Sequence, residues 1–253
     1  MHALVVTASG KFFCNGFDLK FIQRFPEQAD HLQQATEVLC ARLLKFPKPT
    51  IAAVNGHSCA AGAMLMLSFD VRVMNADKGF CFVPGIDLGL VYSPGMSALM
   101  TAKLPQRLHR DFIVFGQRFT AKDLEVHGVV DEAVPAEKVM SQAISRAVAL
   151  KAKAKHPTTM SMIKATLYHE AIASLEVEPD DIMLNPQFVP MGFAVVPAGT
   201  DRPPKTETVP VEPLPLQRET SAAYHDLVAR SKANAQSERS AGLRALAQSG
   251  TAS

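Results

Sequence analysis

The chain of 253 residues contains no tryptophan, only three tyrosines and only four cysteines. Cys14, Cys40, Cys59 and Cys81 lack the paired spacing of metal ligands and the density of a disulfide framework, so we interpret them as free thiols of an intracellular protein. No apolar run reaches the roughly 20 residues of a membrane span. Neither sign of charge dominates, because 26 basic residues stand against 24 acidic ones. This balance gives no general reason to expect nucleic acid as a partner.

What the chain does contain is enough apolar sequence for a full core, since 47% of its residues are hydrophobic. The composition changes sharply past Leu175, where nine of the 17 prolines lie between Pro179 and Pro215. Proline at this density blocks helices and ladders, which predicts an extended linker over 176–216. A loose helical tail is expected over 217–253, where apolar residues are sparse.

Two segments near the N-terminus each join an apolar or β-branched run to small residues. They are Gly10-Lys11-Phe12-Phe13-Cys14-Asn15-Gly16-Phe17-Asp18-Leu19 and Pro49-Thr50-Ile51-Ala52-Ala53-Val54-Asn55-Gly56-His57-Ser58-Cys59-Ala60-Ala61-Gly62. Such a pattern is typical of a buried strand that delivers backbone N–H groups to a ligand at a turn or a helix start. Two such segments predict a pair of donors that face one oxygen atom.

In this order and at this separation, the two segments resemble those of the enoyl-CoA hydratase/isomerase family, also called the crotonase superfamily. The plant-type Δ3,Δ2-enoyl-CoA isomerases look most similar, and the resemblance runs from about His2 to about Ile172. It implies an α/β fold with a crotonase-like ββα spiral core over 1–134. Helices over 135–175 would follow, as a possible oligomerisation region. Because the first strand begins at once, the family's N-terminal portion is expected to be truncated.

The resemblance also implies the partners and the site. In the family, two backbone amides hold the thioester carbonyl oxygen, and the matching residues here are Phe17 and Ala61. Removal of a proton next to a thioester places negative charge on that oxygen, and fixed N–H dipoles stabilise it. The residues expected to bind the acyl-CoA thioester are Cys14, Asn15, Gly16, Phe17, Asp18, Ala61 and Pro84. No metal and no cofactor beyond the substrate's own CoA are expected, and the assembly would be a homotrimer or a dimer of trimers.

The carboxylates of the family pattern are missing from this sequence. Met64 stands three residues after Ala61, where the hydratases carry a glutamate, which argues against hydration and leaves isomerisation open. A second glutamate, shared by hydratases and isomerases, is replaced by Gly85 in the segment 84–89. A glycine cannot accept a proton, so the general base must be explained in another way.

One hypothesis is a substitute base. Asp87 lies two residues beyond Gly85, and on an extended backbone it would point the same way. Tyr92, His57 and Asp18 are other titratable residues near the two segments. Their simpler interpretations are a cap or turn acid for Asp87, a polar residue bonded to neighbouring loops for His57, and an N-cap of the next helix for Asp18.

Two further hypotheses need no base at position 85. The chain could bind acyl-CoA with little or no turnover, or it could use the same amides in a different reaction, since the superfamily also includes dehalogenases, hydrolases and decarboxylases. A nucleophilic role for Cys14 or Cys59, which lie inside the two segments, is a remoter alternative. If the site is otherwise intact, a glutamate at position 85 is expected to raise isomerase activity at least about a hundredfold.

The predicted function is therefore that of an enoyl-CoA isomerase of fatty-acid β-oxidation, which shifts a 3-enoyl-CoA double bond to position 2. The alternative is a catalytically impaired acyl-CoA-binding family member. The resemblance favours the peroxisome, although the final Thr251-Ala252-Ser253 is not an address of the Ser-Lys-Leu type. The cytoplasm and the mitochondrion are the alternatives.

Periodicity and capping signals predict the individual elements. Residues 28–45 form a helix whose inner face would carry Leu32, Ala35, Leu39, Leu43 and Phe46, and Thr120 would cap a short helix. Further helices are expected at 61–69, 96–103, 108–115, 137–154 and 158–172, and strands at 50–54, 70–74, 79–83 and 129–134. The apolar faces of the last two helices would pack either within the chain or against another subunit.

Overall fold

The computed structural model describes residues 1–176. Nearly all of the predicted linker and the whole predicted tail therefore lie outside the described residues. The division at residue 134 that the sequence suggests stays a prediction.

Within residues 1–176, eight strands form two four-stranded sheets. The strands are β1 (Leu4–Thr7), β2 (Phe12–Cys14), β3 (Thr50–Val54), β4 (His57–Cys59), β5 (Val71–Asn75), β6 (Phe80–Phe82), β7 (Phe119–Thr120) and β8 (Glu132–Val134). The first sheet has the order β1-β3-β5-β8 and is parallel throughout. The second has the order β2-β4-β6-β7, and only its β6–β7 pair is antiparallel. From β1 to β6, consecutive strands thus alternate between the sheets, which agrees with the predicted ββα repeat, while β7 stays in the second sheet and β8 returns to the first.

Helices connect and cover these strands. They are α1 (Leu19–Arg24), α2 (Ala29–Leu44), α3 (Ala61–Leu67), α4 (Gly85–Leu88), α5 (Pro94–Lys103), α6 (Gln106–Leu108), α7 (Ala121–Val126), α8 (Val139–Ala149), α9 (Pro157–Leu167) and α10 (His169–Leu175). Every residue of β3 and β5 is buried, as expected of parallel strands that are covered on both faces. The strand predicted at 50–54 is confirmed.

The inner face of α2 differs from the predicted one. Leu43 is buried, but Leu39 is exposed, and the residues that turn inward include Glu37, Cys40 and Leu44. The spacing of the apolar residues predicted the wrong face because Glu37 is buried on the inner face of α2, and a pattern of apolar residues cannot indicate a buried carboxylate.

Several predicted boundaries shift for local reasons. Only the end of 129–134 is a strand, because the N–H groups of Val129 and Val130 both donate to the Leu124 carbonyl and close α7. The segment 108–115 is a short α6 followed by a π-helical turn over His109–Val114. The predicted helix over 158–172 is divided at Tyr168 into α9 and α10.

The helix expected over 137–154 has its α-helical part in α8, with 3₁₀ turns at Ala136–Lys138 and Lys151–Lys155 on either side. The predicted cap at Thr120 is confirmed: its hydroxyl accepts from the Asp123 N–H, and the Asp123 carboxylate accepts from the Thr120 N–H, which completes a capping box. Among the helices of the described part, none is long and apolar enough to cross a membrane.

Candidate active site

The two glycine-rich and alanine-rich segments meet at one edge of the second sheet. Strands β2 and β4 run parallel as neighbours, so their carboxyl ends, at Cys14 and Cys59, lie side by side. Gly16, just after β2, has φ +86°, a conformation that glycine adopts without strain. An added Cβ at Gly16 would lie 3.0 Å from the Ala60 Cβ and 3.3 Å from the Ala61 nitrogen. The turn after β2 therefore packs directly on the start of α3.

Strand β2 and helix α3 approach each other just as closely at Gly62, the residue after Ala61. An added Cβ at Gly62 would overlap the carbonyl group of Cys14, so only glycine lets α3 begin against the end of β2. This contact brings the backbone at Phe17 and the backbone at Ala61 into one neighbourhood. The two segments that the sequence singled out are thus brought together.

Both predicted amide donors are available. Ala61 is the first residue of α3, where an N–H has no intrahelical acceptor. Within residues 1–176, no hydrogen bond from the N–H of Phe17 or of Ala61 is found. Two backbone donors at the edge of a packed sheet, one of them at a helix start, are able to bind a carbonyl oxygen that gains negative charge.

Ala60 holds the second donor in place at the cost of backbone strain. Its φ is 52°, and it is the one non-glycine residue in the described part of the chain with a positive φ. The Ala60 N–H donates to the Phe82 carbonyl at 3.0 Å, which ties this residue to β6. Strain of this kind persists where the surrounding structure fixes the backbone, and such sites are often functional.

The side-chain space at position 85 is occupied by Tyr92. The buried Gly85 donates its N–H to the Tyr92 hydroxyl at 2.7 Å, and that hydroxyl donates to the Val83 carbonyl at 3.0 Å. An added Cβ at Gly85 would lie 2.5 Å from the Tyr92 Cζ and 2.9 Å from the Leu90 carbonyl oxygen. A phenol thus fills the space beside position 85, where the resemblance would place the family's glutamate.

This phenol is a poor base. Burial raises the pKa of Tyr92, the nearby Asp87 raises it further, and the hydrogen bond from the Gly85 N–H only partly opposes them. The neutral form therefore predominates at neutral pH, and a neutral phenol can donate a hydrogen bond but cannot take a proton from carbon.

The prediction that the Asp87 side chain points the same way as position 85 is wrong. Residues 85–88 form the short helix α4 rather than an extended segment, so a residue two positions beyond Gly85 points to nearly the opposite side. Gly85 is buried and Asp87 is exposed. Asp87 also makes no side-chain cap, and the cap of α5 is Ser93, whose hydroxyl accepts from the Met96 N–H. The geometric reason for Asp87 as substitute base is thereby removed.

Two other candidates have the simpler roles that the sequence suggested. Asp18 accepts hydrogen bonds from the N–H groups of Lys20 and Phe21 and caps α1. His57 accepts from the Phe80 N–H at 3.2 Å through Nδ1, and its ring stacks on the Phe80 ring. Burial, Lys11 and Arg118 lower the pKa of His57, which favours the neutral imidazole. Of the other predicted substrate contacts, Asn15 is exposed and Pro84 directly precedes α4.

The four cysteines are free, as predicted. Burial raises the pKa of Cys40 to about 11 and also raises the pKa values of Cys59 and Cys81. A thiol that stays protonated is a weak nucleophile, so the structure gives no support to a nucleophilic role for Cys59.

Sequence reasoning missed Glu37, the one carboxylate in the described residues that is buried, with an exposed fraction of 4%. Its Oε1 accepts hydrogen bonds from the Ser93 hydroxyl at 2.7 Å and from the Gln33 amide at 3.0 Å. Burial raises the pKa of Glu37, and the two hydrogen bonds oppose that rise. No motif marks Glu37; the available signal was a carboxylate in mid-helix, followed far along the chain by a serine at a helix start.

The fold and the site together define an α/β protein with paired backbone donors at the ends of neighbouring parallel strands. The chain belongs to the enoyl-CoA hydratase/isomerase family, whose model matches residues 1–182. The family resemblance found in the sequence is thereby confirmed.

Known proteins agree with this assignment. The chain is 35% identical to the peroxisomal enoyl-CoA delta isomerase 2 of Arabidopsis thaliana over 184 residues, which cover 69% of this chain and 77% of the relative. It is 30% identical to the mitochondrial enoyl-CoA hydratase domain-containing protein 3 of Xenopus laevis, over 69% of this chain and 59% of the relative. A solved enoyl-CoA isomerase of Mycobacterium tuberculosis shares the fold, with a TM-score of 0.66 at 24% identity over 72% of this chain and 79% of that chain.

Proposed function

We propose that this protein binds enoyl-CoA thioesters and shifts a 3-enoyl double bond to position 2, as a step of fatty-acid β-oxidation. The observation that carries the proposal is the junction of the two segments, where Gly16 packs on Ala61 and the amides of Phe17 and Ala61 have no acceptor among residues 1–176. The isomerase name of the Arabidopsis relative supports the same reaction. Met64, buried at the position of the hydratases' first glutamate, leaves no carboxylate there to activate water.

The reaction requires one proton to leave C2 and one to arrive at C4. When the C2–H bond breaks, its electron pair spreads over C2, C3 and C4 and onto the thioester oxygen. The Phe17 and Ala61 amides stabilise that oxygen, because their dipoles are fixed before the charge develops. Protonation at C4 then leaves the double bond between C2 and C3, conjugated with the thioester.

A second candidate function is acyl-CoA binding without turnover. The Gly85–Tyr92 contact favours it, because the space of the family's base holds a phenol that stays neutral. A general base contributes on the order of 10²- to 10⁴-fold in rate. Its complete absence would leave binding and carbonyl polarisation intact while turnover became very slow.

Location and assembly are part of the proposal. A peroxisomal location is supported by the name of the Arabidopsis relative, and the Xenopus relative keeps a mitochondrial location as the alternative. A homotrimer or a dimer of trimers is proposed from the family resemblance, and exposed apolar residues on α8 and α9 are parts of the described surface that fit it.

Two assays on the full chain separate these functions. Conversion of 3-hexenoyl-CoA to the conjugated 2-enoyl thioester is followed by its ultraviolet absorbance, and binding of hexanoyl-CoA is followed by calorimetry. Turnover together with binding supports the isomerase. Binding without turnover supports the second candidate, and the absence of binding contradicts both.

A further inference from the structure

Glu37 on α2 has the properties of a general base, and its position relates it to both sides of the candidate site. Its Oε1 is bonded to Ser93 at the start of α5, and an added Cβ at Gly95 would lie 3.1 Å from its Oε2. The start of α5 directly follows the segment of Gly85 and Tyr92. On this side, Glu37 is bonded to Ser93, the residue that follows Tyr92, and the Tyr92 ring occupies the space beside position 85.

The other side leads to the paired amides. Cys40 lies one turn beyond Glu37 on α2, about 5 Å along the helix axis. The Glu37 carboxylate and the Cys14 thiol are both near enough to the Cys40 thiol to raise its pKa. Cys14 ends β2, and its carbonyl group abuts Gly62 in α3. The Glu37 carboxylate thus lies between the start of α5 and the strand end that meets the Ala61 donor.

A purely structural role explains this arrangement less well. The Ser93 hydroxyl already caps α5 through the Met96 N–H, and a neutral glutamine could accept the hydrogen bonds from Ser93 and Gln33 equally well. A buried carboxylate instead carries the cost of desolvating a charge, which its raised pKa reflects. A raised pKa makes this carboxylate a stronger base than an exposed glutamate, which suits it to take a proton.

We propose that Glu37 is the catalytic base of this site and takes the role that Gly85 cannot perform. The inference rests on the proposed thioester site. The Glu37 carboxylate accepts the proton from C2 as the C2–H bond breaks, and the electron pair passes to the enolate oxygen held by the Phe17 and Ala61 amides. The protonated carboxyl then returns the proton to C4. Oε1 is anchored by Ser93 and Gln33, while within residues 1–176 Oε2 has no hydrogen-bond donor, so Oε2 is the oxygen that moves the proton.

The test measures proton removal separately from the double-bond shift. Wild type and Glu37→Gln are compared in turnover of 3-hexenoyl-CoA and in exchange of the C2 protons of hexanoyl-CoA in D₂O, followed by mass spectrometry. Glu27→Gln, the same change at an exposed position of the preceding 3₁₀ turn, is the matched control. We expect Glu37→Gln to lower both rates at least about a hundredfold with hexanoyl-CoA binding retained, and Glu27→Gln to change neither.

Stability gives a readout that separates catalysis from structure. Because burial disfavours the charged form of Glu37, the glutamine variant is expected to unfold at the same temperature as wild type or at a higher one. A lower melting temperature together with unchanged exchange would identify a structural residue and overturn the proposal.

The remaining outcomes are equally distinct. Wild-type turnover that survives Glu37→Gln overturns Glu37 as base and leaves the isomerase standing. If the C2 protons exchange only when Glu37 is present but no double bond shifts, Glu37 is supported as the base and the isomerase function is contradicted. Binding with neither exchange nor turnover overturns the base and leaves the binding function.

The pH profile of wild type provides a test that needs no variant. The Glu37 carboxylate accepts from the Ser93 hydroxyl of α5 and from the Gln33 amide of its own helix, and the Cys40 thiol is a titratable group close to it. Exchange should rise as Glu37 loses its proton, at a higher pH than for an ordinary glutamate, and then stay level. A rise that begins only above pH 8 would indicate a thiol or phenol base and would overturn the proposal.

Discussion

The hydroxyl oxygen of Tyr92 lies 2.7 Å from the backbone nitrogen of Gly85 and occupies the direction in which a side chain at position 85 would extend. The two residues therefore depend on each other: the phenol fits because position 85 has no side chain. The hundredfold gain that the sequence predicts for a glutamate at position 85 takes no account of this ring.

We expect Gly85→Glu alone to destabilise the protein by about 1–3 kcal/mol, the usual cost of overpacking. In a double-mutant cycle with Tyr92→Ala, measured by urea unfolding, part of that cost should disappear. Tyr92→Phe is the control, because its ring keeps the Cζ that lies 2.5 Å from the added Cβ. Equal costs of Gly85→Glu in all three backgrounds would show that Tyr92 does not close position 85.

The isomerase assay extends this cycle. In the Glu37→Gln background, turnover should recover in Gly85→Glu combined with Tyr92→Ala and not in Gly85→Glu alone. The Leu90 carbonyl, 2.9 Å from the added Cβ, must also shift slightly, so the gain is expected at the low end of the roughly 10²- to 10⁴-fold range.

The sequence was sufficient for the two segments and for the buried strand at 50–54, because buried strands that end in small residues leave a direct signal. It also predicted the caps at Asp18 and Thr120, which depend on neighbours within three residues. Asp87 was misplaced because a four-residue helix leaves too few residues for a periodic pattern. The sequence did not indicate the role of Glu37 because that role depends on a contact with Ser93, 56 residues away. It did not indicate the role of Tyr92 because that role depends on the path of the tight loop that returns to Gly85.

The Ala61 donor can be removed by substitution with proline. Proline is well tolerated at the first position of a helix, so Ala61→Pro deletes one N–H from α3 and Ala61→Gly retains it. We expect the proline variant to lose about 10²- to 10³-fold in turnover. The infrared carbonyl band of bound hexanoyl-CoA should also move toward its position in water. An unshifted band in a folded Ala61→Pro variant would contradict the role of Ala61.

Replacement of Ala60 by glycine should stabilise the protein. Its φ of 52° is unfavourable for an L-residue, and the strain is worth on the order of 1–3 kcal/mol. Part of that amount should appear as a higher melting temperature in Ala60→Gly. The control is Ala63→Gly, inside α3, which should lower stability by about 1 kcal/mol. A loss of stability at both positions would show that the backbone at Ala60 is not strained.

The exposed apolar stripe of α8 predicts an assembly of several copies. Met140, Ile144 and Val148 are 40%, 50% and 65% exposed, while Val139 and Ala143 pack inward against the first sheet. We expect Ile144→Glu to lower the mass found by light scattering, and the neighbouring exposed Ser145→Glu to have less effect. A wild-type monomer, or an assembly indifferent to Ile144→Glu, would exclude this stripe as the interface.

Lys103 should make the stability of the folded protein depend on pH, and the direction of this dependence follows from its pKa. Burial and then the positive charge of Arg72 lower the pKa of Lys103 to about 7, with Lys164 acting in the same direction and Asp70 and Asp131 opposing it. From about pH 7 to the ordinary lysine pKa near 10.4, the unfolded chain binds a proton that the folded chain does not.

The stability contributed by this site should therefore rise with pH over that window, by at most about 1.4 kcal/mol per pH unit. Lys103→Met is expected to remove this rise and to stabilise the protein at pH 7. The Phe69 carbonyl, to which the Lys103 ammonium donates at 3.2 Å, still accepts from the Arg72 guanidinium at 2.8 Å, so this carbonyl is not left unpaired. The half-buried Tyr168 hydroxyl loses its hydrogen bond from Lys103, which offsets part of the gain. Urea unfolding of both proteins from pH 6 to pH 9 measures the difference, and parallel curves would show that Lys103 titrates in the folded state as it does in water.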